Sequence, residues 1–248
     1  LSYLLSDYVT NLINSGGLGK KIRIKVQRVV STMVFDREKA VDYLLQNELI
    51  PAGITDKRVL AAMRKVRREK FIPESLKDKA YDNYPLPIGE NQTISQPYIV
   101  ALMTQALHLK PEDKVLEVGT GSGYQAAILA ELTAVVYSIE RIESLLDRAR
   151  TNLYSQGYNN IFLIIGDGTL GLPEYAPFTK IIVTAAAPKV PETLLNQLEN
   201  GGKMVVPVGG RQVQDLKLIE KARNGRVYKK SLCGCRFVPL VGKDGWKD

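Results

Sequence analysis

Residues 115–124 read Val115-Leu116-Glu117-Val118-Gly119-Thr120-Gly121-Ser122-Gly123-Tyr124. Strand-type residues run straight into three glycines at alternate positions, and helix formers follow. Glycine at such a turn accepts positive φ and lets backbone N–H groups come close to a ligand. The start of the following helix favours a carboxylate or phosphate. A dinucleotide fingerprint needs Gly-x-Gly-x-x-Gly; the sixth position here is Tyr124, so that motif fails. Glu117 ends the strand just before the glycines, where it would repel a phosphate and suit a cationic ammonium.

A Gly-x-Gly-x-Gly turn with an acid at Glu117 is the pattern of S-adenosylmethionine sites. Glu140 ends the next predicted strand, where nucleotide-binding doubly wound folds place the acid that takes the ribose hydroxyls. Gly166-Asp167-Gly168 follows the third strand. Asp167 is placed to accept from an adenine amino group, with Gly168 permitting close approach; a plain Asp-Gly turn is the alternative.

Outward from the turn, Val115–Val118 reads as strand and Tyr124–Leu132 as helix, then Ala134–Ile139 as strand and Ile142–Gln156 as helix. Strands Ile161–Ile165 and Ile181–Thr184, helix Pro191–Leu198 and strand Lys203–Val208 follow. This alternation predicts an α/β fold: a doubly wound, mostly parallel, Rossmann-like sheet with helices on both faces. Leu216–Ala222 and Val227–Leu232 flank Asn224-Gly225, a signal for an antiparallel hairpin near the C-terminus. Upstream the chain reads as helical, over Asp36–Asn47, from Thr55-Asp56 onward, and over Glu74–Ala80. Pro85, Pro87, Gly89 and Pro97 preclude helix over 81–97, which predicts a long loop of the kind that often carries function. A helix is expected from Pro97 to Leu107; one reading of Ser95 is as its N-cap, which leaves the hydroxyl able to donate to a substrate carboxylate as well.

The chain has 248 residues, 45% apolar and 24% charged, so it can bury a core without a metal or disulfide staple. Its net charge of +8 concentrates in Lys20, Lys21, Arg23, Lys25 and Arg28, and in Arg58, Arg64, Lys65, Arg67, Arg68 and Lys70. Both runs read as solvated faces. Cys233 and Cys235 are too close in sequence for a good disulfide and read as small residues of a strand; with His108 as the single histidine, no metal site is expected. His108 reads as a surface or capping residue at a helix end. No 18-residue apolar run and no signal-peptide pattern is present, so a cytoplasmic protein is expected. Residues 1–32 read as an extension, with Met33 the expected natural initiator.

The sequence resembles the protein-L-isoaspartate O-methyltransferase family over about residues 38–242. The likeness rests on Pro85-Leu86-Pro87-Ile88-Gly89 through Gln92-Thr93-Ile94-Ser95-Gln96-Pro97, on Val115 to Gln125, and on Asp167-Gly168 through Pro177-Phe178. Ile181-Ile182-Val183-Thr184-Ala185-Ala186-Ala187-Pro188, Pro191 and Arg236-Phe237-Val238-Pro239-Leu240 belong to it too. Asn91 departs from the family's usual glycine and is expected to stiffen or tilt the loop. The resemblance implies methyl transfer from S-adenosyl-L-methionine, leaving S-adenosyl-L-homocysteine, to the α-carboxyl of isoaspartyl residues in damaged proteins and peptides. It implies Ser95 as the catalytic residue. The expected cofactor set is Gln92, Thr93, Ile94, Ser95, Glu117, Gly119, Thr120, Gly121, Ser122, Gly123, Glu140, Arg141, Asp167, Gly168 and Gln214. Tyr81, Tyr84 and Ile88 are read either as walls of a substrate groove or as packing.

A carboxylate acceptor is ionised near neutral pH, since ordinary carboxyl pKa values are about 3.3–4.3, so no general base is needed. Three other readings stand beside this one. A nucleic-acid methyltransferase would suit the basic charge, but Thr184-Ala185-Ala186-Ala187-Pro188 stands where an amine enzyme carries Asn-Pro-Pro-Tyr, and neither cysteine follows a proline. A small-molecule methyltransferase or a non-catalytic peptide-binding relative would keep the fold alone. The expected organisation is a single domain over 33–248. It comprises a helical part with the substrate loop (33–110), a cofactor core (111–210) and a hairpin with tail (211–248). It is expected to act as a monomer, without nucleic acid or membrane partners.

Overall fold

The computed structural model describes residues 35–247, so the first basic run and the expected start at Met33 lie outside the described residues. Helix α1 (Arg37–Tyr43) passes directly into a π-helical turn, Leu44–Leu49, so the helix predicted over Asp36–Asn47 changes its hydrogen bonding midway. Helix α2 (Lys57–Lys65) is capped by Asp56, whose carboxylate accepts from Arg58 N and Val59 N. The short helix expected at Glu74–Ala80 is a 3-10 helix, Glu74–Lys79, entered from Pro73.

The segment over 81–97 is not a plain loop. Its centre is an antiparallel ribbon of β1 (Leu86–Gly89) and β2 (Gln92–Ile94), with Leu86 opposite Ile94 and Pro87 opposite Thr93. Glu90 and Asn91 turn the ribbon at φ 52° and 54°. Two successive left-handed residues match a hairpin turn, and asparagine tolerates that region better than most residues. Asn91 thus takes the conformation a glycine would supply. Helix α3 (Pro97–Ala106) follows, and it sets aside the reading of Ser95 as N-cap. The cap position is Gln96, with no side-chain cap bond of its own; Tyr98 N donates instead to Asn83 Oδ1 at 3.0 Å. An acceptor brought from fifteen residues upstream does the work that local sequence assigns to Ser95. His108, exposed at φ 49°, closes the helix.

The seven-stranded sheet runs β5-β4-β3-β6-β7-β8-β9. Its strands are β3 (Lys114–Val118), β4 (Val135–Glu140), β5 (Ile161–Ile165), β6 (Phe178–Val183), β7 (Leu198–Gly209), β8 (Gln214–Lys221) and β9 (Val227–Cys235). The β3–β4, β4–β5, β3–β6 and β6–β7 pairs are parallel; β7–β8 and β8–β9 are antiparallel. Helices α4 (Tyr124–Ala130), α5 (Glu143–Tyr154) and α6 (Glu192–Gln197) are the crossovers. Leu116, Ile181, Met204 and Val206, none of them exposed, form the core on which the sheet packs. This is the doubly wound, mostly parallel architecture with a C-terminal hairpin read from the sequence. Cys233 and Cys235 are half-buried free thiols of β9, and burial pushes Cys235 up to about 12.

Arg68 is a second correction. Arg58, Lys65, Arg67 and Lys70 are exposed, but Arg68 in the same run is fully buried.

The ribbon turn is testable. Asn91→Val places a β-branched side chain at a left-handed position and should lower unfolding stability by about 1–2 kcal/mol, whereas Asn91→Gly should change it little. Urea denaturation measures both, and an unaltered midpoint for the valine variant contradicts the turn.

Candidate cofactor and acceptor site

The chain reaches β3, winds outward through β4 and β5, then returns to lay β6 on the other side of β3. Doubly wound sheets open a crevice at such a reversal, at the carboxyl ends of the strands. Here two turns meet across it. Thr184, just past β6, donates its hydroxyl to Gly119 O at 2.6 Å and to Val118 O at 2.9 Å. Gly119 sits at φ 97°, and a Cβ there would lie 2.4 Å from Thr184 Oγ1, so no other residue fits without displacing the threonine. The cleft above encloses about 950 Å³ of space, its open mouth included.

The acids of the first two strands play different parts. Glu140, 7% exposed, lines the cleft; Oε2 accepts from Gly121 N at 2.9 Å, and Oε1 from Arg141 N and Ile142 N at 2.9 and 3.0 Å. It therefore shapes the glycine turn while facing the ligand space. Glu117 is fully buried beneath the turn. Ser138 Oγ donates to its Oε2, Thr120 Oγ1 lies 2.6 Å from Ser138 Oγ, and Oε1 has no partner. Burial pushes Glu117 up to about 8, the Ser138 bond works against this, and the Glu140 charge adds to it. A buried carboxyl with an unused oxygen beside the glycine turn suits a cationic group.

The opposite wall comes from the ribbon. Arg148 of α5 donates to Ile88 O at 2.7 Å and Ser144 to Glu90 Oε1 at 2.9 Å, pinning the hairpin to the rim. Gln92, Thr93, Ile94 and Ser95 then line the cleft. Because Asn83 supplies the helix cap, the half-buried Ser95 hydroxyl has no partner among the described residues. Ser95 is held through its carbonyl, which accepts from Arg68 Nη2 at 2.9 Å. Tyr81 and Ile88 are buried and Tyr84 is exposed; none of the three lines the cleft. Tyr81 instead donates to Glu69 Oε2 at 2.6 Å.

Of the residues expected from sequence, Gln92, Thr93, Ile94, Ser95, Gly119, Thr120, Gly121, Ser122, Glu140, Arg141 and Gly168 come together on this one surface. Glu117 lies under it, and a Cβ on Gly123 would press on Leu153 of α5. Asp167 is occupied: Oδ1 accepts from Thr169 N and Oγ1, and Oδ2 from Lys243 N at 2.7 Å. Burial alone would raise its pKa, but these bonds lower it. Gln214 holds the tail, donating to Gly210 O at 2.5 Å and accepting from Phe237 N at 2.8 Å. The tail supplies what motif reading missed. Val238, Pro239, Leu240 and Val241 line the cleft because Ala186 pairs with Val238 and Leu240, and Trp246 Nε1 donates to Ala186 O at 3.0 Å. The family-like Arg236–Leu240 stretch was the only hint of it.

The chain matches the family model of protein-L-isoaspartate(D-aspartate) O-methyltransferase (PCMT) over residues 39–245. A Syntrophobacter fumaroxidans protein, protein-L-isoaspartate O-methyltransferase 1, is 55% identical over 210 residues, covering 85% of this chain and 98% of the relative. A Methanoculleus marisnigri protein-L-isoaspartate O-methyltransferase is 52% identical over 212 residues, covering 86% and 94%. A Plasmodium falciparum protein-L-isoaspartate O-methyltransferase, solved with S-adenosyl-L-homocysteine, superposes with a TM-score of 0.70 at 28% identity, covering 80% of this chain and 96% of that one. Fold and cleft therefore define a methyltransferase of the doubly wound class. Within that class, the chain belongs to the protein-L-isoaspartate(D-aspartate) O-methyltransferase family.

Glu117 makes a pH prediction. A carboxyl raised in the folded state stays protonated after its unfolded counterpart has ionised, so stability falls as pH rises from about 4.5 toward 8. Glu117→Gln should flatten the stability–pH curve in that window. Parallel curves for variant and wild type would sink the assignment.

Proposed function

We propose that this protein methylates the α-carboxyl of isoaspartyl residues in proteins and peptides, with S-adenosyl-L-methionine as methyl donor. The observation that carries the reading is the unpartnered Ser95 hydroxyl on the same cleft as the glycine turn. When bound, the cofactor supplies an electrophilic methyl on a sulfonium. The residues present fit it: Glu117 Oε1 is a buried acceptor without a partner, and Glu140 keeps lone pairs toward the ligand space. Glu117 would hold the ammonium end, Glu140 the ribose hydroxyls, and Gly168 with the tail the flat base. Asp167 can still accept there, since each carboxylate oxygen offers more than one lone pair.

The acceptor is already an anion, so no side chain has to take its proton. Ser95 donates to one carboxylate oxygen and leaves the other to attack. With an acceptor seated between them, the ribbon and tail would displace water, which favours a reaction in which opposite charges annihilate. Holding both partners in line can supply up to roughly 7–11 kcal/mol of the barrier. The product ester can then be attacked by the following backbone nitrogen, closing a succinimide with loss of methanol and reopening with water partly to normal aspartate. The reading includes a monomeric, cytoplasmic enzyme. A nucleic-acid acceptor is disfavoured by Ala186 and Ala187, whose backbone groups are committed to Val238, Leu240 and Pro207.

Labelled-methyl transfer to an isoaspartyl peptide, against the same peptide with aspartate, tests the substrate; equal labelling of the two rejects it. Ser95→Ala should lower kcat about tenfold or more, on the scale of a lost charge-assisted hydrogen bond, with cofactor affinity nearly unchanged. A second expectation follows from Glu117, which faces Ser138 and Glu140 and is raised to about 8. A cation bound beside it favours the carboxylate, so cofactor binding at pH 7 should release a proton and tighten as pH rises toward 8. Calorimetry in two buffers of different ionisation enthalpy measures this, and buffer-independent heats contradict it.

A further inference from the structure

Arg68 does not line the cleft, yet it is buried completely, the least common place for an arginine. Its Nε donates to Ala80 O at 2.8 Å and its Nη2 to Ser95 O at 2.9 Å. Its guanidinium carbon lies 4.9 Å from the ring centroid of Tyr124, a residue of the cleft wall backed by Phe71 at 5.6 Å. Nη1 is buried and has no hydrogen-bond partner among the described residues. Among the described residues no carboxylate pairs with it; Glu69, its neighbour in sequence, is taken by Tyr81 Oη and Arg67 Nε. Arginine keeps its proton even when buried. A whole positive charge is therefore held out of water directly behind Ser95, compensated by two carbonyl dipoles and by the ring and hydroxyl of Tyr124, with no carboxylate paired to it among the described residues.

An unpaired buried charge is costly unless something completes it. The geometry points to Arg68 as a positioning residue with two functions: its fork fixes the Ser95 backbone, and its charge selects an ionised carboxylate as the group that enters beside Ser95. The inference rests on the carboxyl-methylating function proposed above. In the low-dielectric wall the charge reaches beyond contact distance. It attracts the acceptor anion and does nothing for the cationic donor, so its electrostatic effect belongs to acceptor binding. The fork acts on the alignment of Ser95 and so on turnover.

The two functions separate by substitution. Arg68→Lys keeps the charge and loses the two-pronged grip: kcat should fall several-fold while KM for an isoaspartyl peptide stays within about threefold. Arg68→Met loses both, and KM should rise at least tenfold as well. Affinity for S-adenosyl-L-homocysteine should hold within about threefold in each. An unchanged peptide KM in Arg68→Met overturns the proposal. So does a parallel loss of S-adenosyl-L-homocysteine affinity, which a merely structural residue would produce. Should the methionine variant not fold, the wild-type enzyme still decides. It should bind the free-carboxylate peptide at least tenfold more tightly than the same peptide amidated at that carboxyl, and equal affinities overturn the charge argument. If the wild type transfers no methyl to the isoaspartyl peptide, the proposed function fails. If it does and both variants behave as wild type, only Arg68 fails.

Discussion

Everything in the site hangs on the contact between Thr184 and Gly119. The sheet reverses its direction of growth between β3 and β6, and the two turns leaving those strands must share one small space. Thr184 fills it by bonding to two carbonyls of the opposite turn, and only a residue without Cβ leaves room. With that corner set, Gly121 N reaches Glu140, β4 presents its acid at the rim, and the Thr184–Pro188 stretch runs where the tail can pair with it. A packed interior passes displacement on rather than absorbing it, so a misplaced corner would move both walls of the cleft.

Two buried side-chain atoms among the described residues lack hydrogen-bond partners, one on an acid and one on a base: Glu117 Oε1 under the glycine turn and Arg68 Nη1 behind Ser95. Native interiors rarely leave such groups unpaired. A reaction that joins a cationic donor to an anionic acceptor would use both, the acid facing the donor's ammonium and the arginine facing the carboxylate. Arg68 carries its charge before any ligand arrives, whereas Glu117, pushed up to about 8 by burial, holds its proton at neutral pH.

Much of the architecture was legible locally. Alternation of strand and helix patterns, the glycine turn and Asn224-Gly225 each act within a few residues, so their reading needs no partner from elsewhere. The ribbon of β1 and β2 was not legible, because prolines at 85 and 87 read as loop until the two strands are seen paired. Ser95 read as a cap because its neighbours in sequence resemble one; Asn83 arrives only through folding. Arg68 was invisible inside a basic run, since burial belongs to the packed chain and not to the residue.

By itself, the sequence determined the fold class, the glycine turn with its two acids, and the loop that ends in Ser95. Those features are short-range: spacing sets them, and spacing is written in the chain. The tertiary structure alone decided which of those residues share one surface. It sent Asp167 and Gln214 to hold the tail, brought Val238–Val241 over the cleft, and set a buried guanidinium behind Ser95. Burial, desolvation and the pairing of distant backbone groups are properties of contacts between remote segments, and no local pattern encodes them.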